Sequence, residues 1–168
     1  LIPLLEKDEE ARDNLFKNLK KFFFAGAALP RNVWERLDAL AIAARGERVP
    51  ITASLGSTET APAATYMNWF PKSAGNIGLP LPGCELKLVP NGDKLEIRMR
   101  GPNITPGYYR LDELTAAAFD EEGFFRIGDA GRFEDENDPA SGIVFDGRVA
   151  ENFKLMTGTW VHAGQLRL

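Results

Sequence analysis

Apolar positions recur at helical spacing near the start of the chain. Ala11, Leu15, Phe16 and Leu19 share one face of a helix expected over Glu6 to Lys21. Glu6, Asp8, Glu9 and Glu10 open that segment and Lys17, Lys20 and Lys21 close it, an order that complements the helix dipole. Phe22 to Ala25 is a short apolar run with the length of a buried strand, and its three phenylalanines are expected in sheet core. Gly26 opens a turn of small residues, and Pro30 suits the first turn of a second helix. Val33, Trp34, Leu37, Leu40, Ala41 and Ala44 form that helix's stripe, with Trp34 packing helix on sheet, and Gly46 is its stop. Pro50 to Leu55 reads as another buried strand, ending at Gly56. Strand–helix–strand order favours a parallel sheet with a crossover helix.

The texture changes after Phe70. Glycine and proline become frequent and the apolar pattern becomes short and alternating. Leu86 and Leu88 alternate with Glu85 and Lys87, Asn91-Gly92 is a hairpin turn signal, and Leu95, Ile97 and Met99 alternate with Glu96, Arg98 and Arg100. A short helix is expected near Thr115 to Phe119. Two strands, Phe124 to Ile127 and Gly131 to Glu134, flank an expected turn at Gly128-Asp129. A polar loop, Glu134 to Gly142, precedes a strand at Ile143 to Phe145. The fold class read from this order is α/β followed by a β-rich part: a strand–helix–strand parallel layer plus a distorted β-barrel subdomain. The expected divisions are 1–70, 71–147 and 148–168.

Composition excludes more than it assigns. The 168 residues carry a net charge of −4 with no basic stripe, which argues against nucleic acid as a partner. No run approaches the roughly 20 apolar residues of a membrane span. The single cysteine, Cys84, rules out an internal disulfide and fits a reducing cytoplasm. It reads as a small strand residue without an activating histidine nearby in sequence. His162, the only histidine, has no ligand cluster around it in sequence.

Three segments could carry chemistry. Gly56-Ser57-Thr58-Glu59-Thr60 directly follows a buried strand, where open parallel sheets bind ligands. Its glycine would allow close approach, Thr58 and backbone N–H groups could hold a phosphate, and Glu59 offers the hard oxygen that magnesium prefers. A solvated strand-to-loop turn would look the same. Asp129 could accept hydrogen bonds from two adjacent ribose hydroxyls, or could belong to an ordinary Gly-Asp turn. Arg148 could meet a nucleotide through paired donors and Lys154 as a point charge, or both could be surface cations beside a linker.

Taken in order, these segments resemble the adenylate-forming superfamily of acyl-CoA synthetases, adenylation domains and firefly-type luciferases. Ala25-Gly26-Ala27-Ala28 resembles the loop that lies against adenine. Gly56-Ser57-Thr58-Glu59 is similar to the aromatic-Gly-x-Thr-Glu motif from its glycine onward. Leu95 to Pro102 with Gly107-Tyr108-Tyr109, Phe125-Arg126-Ile127-Gly128-Asp129, and Gly147-Arg148 with Phe153-Lys154 and Gly158 resemble three further family segments. The resemblance implies ATP or AMP, Mg2+ and coenzyme A as cofactors or co-substrates, and a small carboxylic acid as substrate. By the same resemblance Gly26, Ala27, Ala28, Gly56, Ser57 and Thr58 bind the nucleotide. Thr58 contacts the AMP phosphate, Glu59 holds magnesium, and Asp129 and Arg148 contact ribose. Lys154 serves the thioester-forming step and Gly158 lies near the pantetheine channel. Residues 23–29 and 145–161 look most like feruloyl-CoA synthetases, which implies an aryl-propenoic acid in a pocket beside Ala25, Gly26 and Pro62.

Departures from the pattern are part of this reading. Leu55 stands where the family has an aromatic residue, and Ala150 where it has a charged hinge residue. The family's upstream phosphate loop and its late lysine are not in the 168 residues. The expectation is therefore a fragment of a larger cytoplasmic ligase, with little turnover alone. A carrier-protein ligase, a non-catalytic AMP-binding module and a ligand-free interaction fragment stay open at this point.

Overall fold

Near the N-terminus, short helices each have one apolar stripe and hide it against the others. The computed structural model describes residues 1–26, 29–154 and 160–162, with side chains as far as residue 150. In it α1 (Ile2–Leu5), α2 (Glu9–Phe16) and α3 (Arg31–Arg45) converge on Ile2, Leu5, Phe16, Leu40, Ala41 and Val49. The single helix expected over Glu6 to Lys21 is two helices. Asp8 takes an extended conformation, φ −119° and ψ 100°, and its carboxylate accepts from the Ala11 N–H at 2.9 Å. A side chain that caps a new helix competes with continuing the old one. Lys20 and Lys21 lie beyond α2, where Arg45 donates to the Leu19 carbonyl at 2.9 Å. Asp8→Ala is expected to lower stability by about 1 kcal/mol. Urea unfolding would read this as a lower midpoint at unchanged slope.

β1 (Phe22–Ala25) and β2 (Ile51–Ser54) pair in parallel, from Phe22 with Ile51 to Ala25 with Ser54. The crossover helix is α3, closed by Gly46 in the left-handed conformation (φ 77°) as the sequence suggests. The phenylalanine run is only half core. Phe22 packs against the helices, whereas Phe23 is 61% exposed and stacks on Tyr66 with ring centroids 6.3 Å apart. Successive strand side chains face opposite sides, and the helices cover one side. Trp34 is half-buried, with the Arg48 guanidinium 5.4 Å from its ring centroid.

The β-rich part is one antiparallel sheet of β3 (Thr65–Tyr66), β4 (Asn76–Pro80), β5 (Glu85–Asn91), β6 (Lys94–Arg100), β7 (Phe125–Phe133) and β8 (Ile143–Arg148). The order is β3-β4-β8-β7-β6-β5, with β3 and β5 unpaired with each other, so the sheet does not close into the distorted barrel expected. The β3 edge does not meet β5 because the parallel pair takes it: Ala53 and Met67 exchange backbone hydrogen bonds at 2.8 and 3.3 Å. Ala64, Ile77, Ile97, Met99, Phe125, Ile127 and Ile143 form this sheet's core, with Leu55 packed against it. The β5–β6 hairpin pairs Asn91 with Lys94. Gly92-Asp93 is thus its two-residue loop, one position later than the expected turn.

Gly128-Asp129 is not a turn. β7 runs straight through it, pairing Arg126 with Arg98 and Ala130 with Glu96. The extra residues form a bulge, with Gly128 at the positive φ of 78° that a bulge exploits. α4 (Asp112–Ala118) begins three residues before the short helix expected, and Cys84 precedes β5 instead of lying in a strand. β9 (Asn152–Lys154) and β10 (Trp160–His162) form a separate antiparallel pair. No described helix is long and apolar enough to cross a membrane.

Candidate functional site

The turn after β2 is built by its own side chains. The Ser57 N–H donates to Thr60 Oγ1 at 2.8 Å, and Thr60 Oγ1 donates to the Ser57 carbonyl at 3.1 Å. Thr60 and Thr65 are both fully buried. Thr65 Oγ1 accepts from the Leu55 N–H at 3.1 Å and donates to the Ile77 carbonyl at 2.7 Å, tying the end of β2 to β4. Ala61 is held at φ 52°, a left-handed conformation uncommon outside glycine. The chain folds back there until the Pro62 carbonyl lies against Gly56. A Cβ at residue 56 would sit 1.7 Å from that oxygen. Glycine is required here by contact.

Glu59 projects from this turn, half-buried, with a partner on each oxygen. Ser57 Oγ donates to Oε2 at 2.7 Å and Tyr108 Oη donates to Oε1 at 3.1 Å. The Ser57 hydroxyl, the residue's own backbone N–H and Tyr108 hold the carboxyl below the usual carboxylate range, against the opposing effect of burial. Burial and the bond to Glu59 both raise the Tyr108 phenol above its ordinary value. Glu59 is therefore ionised at neutral pH and Tyr108 keeps its proton. Gly56 and Thr58 are exposed beside it.

A segment of the β-rich part straps this turn down. Asn103 Nδ2 donates to the carbonyls of Thr60 (2.9 Å) and Ala63 (2.8 Å), and the Thr105 N–H donates to the Glu59 carbonyl at 2.8 Å. The Cys84 thiol donates to Asn103 Oδ1 at 2.9 Å, which fixes the direction of the amide. The Tyr108 N–H donates to Thr115 Oγ1 at 2.9 Å, anchoring the tyrosine to α4. Sequence reading gave no role to Asn103, Thr105 or Tyr108. The signal available was the Gly107-Tyr108 pair within the Leu95–Tyr109 segment.

Two of the proposed nucleotide segments meet at one edge. Register puts Ala25 beside Ser54, so Gly26 (φ 81°) and the Gly56–Glu59 turn both leave the carboxyl ends of the parallel pair. Ligands of open α/β sheets bind at that edge. Ala27 and Ala28 lie outside the described residues. Asp129 and Arg148 are brought together opposite each other on β7 and β8, with Arg148 Nη1 donating to Asp129 Oδ1 at 3.0 Å. Asp129 is buried and the Arg148 side chain is 55% exposed. The backbone of Lys154 ends β9, opposite Trp160. The Lys154 side chain, Gly158 and the side chain of His162 lie outside the described residues. Leu55, at the aromatic position, packs into the core of the antiparallel sheet.

Among the described residues no group of three or more His, Cys, Asp or Glu is placed to hold a metal. A single ionised carboxylate nevertheless fits magnesium, which is usually held by one or two carboxylates plus substrate phosphates.

Comparison with known proteins bears on the family. Malonate–CoA ligase of Arabidopsis thaliana is 29% identical over 136 residues, 77% of this chain and 21% of the relative. A chloroplastic long-chain-fatty-acid–[acyl-carrier-protein] ligase of the same plant is 28% identical over 147 residues, 79% of this chain and 19% of the relative. The chain thus spans about a fifth of the curated relatives it matches. A solved malonyl-CoA ligase, in a ternary product complex with methylmalonyl-CoA and AMP, superposes with a TM-score of 0.70 at 35% identity. That match covers 98% of this chain and 35% of the solved one. The sequence profile of the AMP-binding enzyme family matches residues 1–109, and this chain belongs to that family.

Proposed function

We propose that this chain is the AMP-binding portion of an acid–thiol ligase, which adenylates a carboxylic acid with ATP and passes the acyl group to coenzyme A. The observation that carries this reading is the ionised Glu59 carboxylate on a clamped turn at the carboxyl edge of β1 and β2. In the first half-reaction the substrate carboxylate attacks the α-phosphorus of ATP. A C–O–P bond forms and the bond to pyrophosphate breaks. Gly56 to Thr58 hold the α-phosphate, with the Thr58 hydroxyl donating to it. Magnesium, when bound, offsets negative charge on the phosphate oxygens, and Glu59 is the residue that would hold it. In the second half-reaction a thiolate attacks the acyl carbon and AMP leaves. Asp129 and Arg148 hold the ribose through both steps, and Lys154 and Gly158 serve the second.

The acid we assign is an aryl-propenoic one of the ferulate type, on the resemblance of residues 23–29 and 145–161. The relatives point to varied acids, and one of them names a carrier protein as acceptor. A carrier thiol is therefore the second reading. The test is acid-dependent exchange of pyrophosphate into ATP by the protein that carries this chain, run with ferulate, malonate and a long-chain fatty acid. Thioester formation is then followed with coenzyme A and with a carrier protein. Exchange with ferulate and a coenzyme A product are expected, and Glu59→Gln should lower exchange about 100-fold. Exchange with malonate alone would remove the ferulate assignment. AMP binding without exchange on any acid would make this a non-catalytic nucleotide module, and no AMP binding at all would remove the nucleotide reading.

A further inference from the structure

We infer that Ser57 and Tyr108 are positioning residues that hold the Glu59 carboxylate from opposite sides and set how strongly it binds the divalent cation accompanying ATP. The inference rests on the adenylation reading above. Its grounds are geometric. A glutamate has three side-chain torsions, and an unrestrained one would sweep its carboxylate over several ångströms. Here Oε2 accepts from Ser57 within the same turn, and Oε1 accepts from Tyr108, 49 residues further along the chain. An ionised carboxylate has about four lone-pair sites, so the bonds from Ser57, Tyr108 and its own N–H leave acceptor capacity for a metal.

Tyr108 is itself held. Its backbone N–H meets Thr115 Oγ1, and Gly107 beside it has no room for a side chain, since a Cβ would lie 2.4 Å from the Thr115 methyl. Thr105, three residues earlier, bonds the Glu59 backbone carbonyl. Backbone and carboxylate of Glu59 are therefore fixed by the same strap. Groups that hydrogen-bond a metal-binding side chain typically change metal affinity 10–100-fold when removed.

The experiment measures ATP affinity by calorimetry with excess magnesium and again in a chelator, for the unmodified protein, Tyr108→Phe and Ser57→Ala. The ratio of the two dissociation constants isolates the contribution of the cation and cancels direct effects on the nucleotide. AMP affinity in chelator, which needs no cation, reports whether the site is folded. The ratio is expected to fall about tenfold in each variant, with AMP affinity unchanged in Tyr108→Phe. Equal ratios in all three proteins, or a ratio of one in the unmodified protein, would overturn the inference. If Tyr108→Phe does not fold, the Ser57→Ala ratio decides alone. Loss of AMP binding by the unmodified protein would instead remove the adenylation reading itself.

Discussion

Gly56→Ala is expected to abolish AMP binding and to lower stability by about 3 kcal/mol. The added methyl would meet the Pro62 carbonyl oxygen at 1.7 Å and Thr60 Oγ1 at 2.7 Å. The nearer atom is backbone, which has no rotamer to change. Residues 56 to 62 would have to spread, and the bonds between Ser57 and Thr60 and from Asn103 to Thr60 and Ala63 would lengthen together. Glu59 moves with them. Gly26→Ala is the comparison for stability: nothing lies within 4 Å of its Cβ, and only the left-handed φ of 81° opposes the change. That strain alone costs about 1–2 kcal/mol. Urea unfolding and AMP calorimetry on both variants separate contact from strain. Unchanged AMP affinity in Gly56→Ala would mean that the turn is not clamped as described.

Asp120→Ala should cost about 3 kcal/mol, because it strips the anion from a buried cluster. The Asp120 side chain is 1% exposed and meets Lys87 Nζ at 2.9 Å and Arg98 Nη1 at 3.0 Å. It also accepts from the Glu122 and Phe124 N–H groups at 3.0 Å each. Burial opposes its ionisation. Lys87, the Phe124 N–H, Arg98 and the Glu122 N–H outweigh that and hold the carboxyl well below the usual range. Without Asp120, Arg98 keeps Glu96 at 2.8 Å but loses its other partner in the cluster.

The folded-state pKa is lowered, so the stabilisation is fully present above the unfolded carboxylate's value of about 3.9. It is lost as the pH falls from there through the folded value. Unmodified protein should therefore lose stability on acidification below about pH 4, and Asp120→Ala should show a flatter acid limb. Parallel acid limbs for the two proteins would remove Asp120 as an acid-sensitive group.

The sequence carried the periodic elements. Phe22–Ala25, the helix closed by Gly46, and the alternation through Leu95, Ile97 and Met99 follow from spacing and end signals that act within a few residues. The order of short motifs was equally legible, and it led to the family that the sequence comparisons support. Local rules failed where a residue had two locally acceptable roles. Gly128-Asp129 suits a turn as well as a bulge, and only the pairing of β7 with β6 on both sides chooses the bulge. Running on as a strand, β7 sets Asp129 opposite Arg148 on β8, and the two side chains meet at 3.0 Å. Asp8 suits a helix interior as one acid among four, yet its carboxylate caps α2 and separates it from α1. The phenylalanine run looked uniformly apolar, yet only one side of β1 has helices to meet it.

By itself, then, the sequence determined the strongly periodic helix and strand segments, the family, and which residue types are available at the turn after β2. Those follow from backbone preferences and side-chain periodicity. Tertiary structure decided that Asn103, Thr105 and Tyr108, more than 40 residues away, close over that turn, and that the β3 edge is taken by β2 rather than by β5. No local signal encodes these outcomes. They depend on which buried carbonyl, carboxylate or strand edge finds a donor once two cores have packed, and that is settled by the whole chain at once.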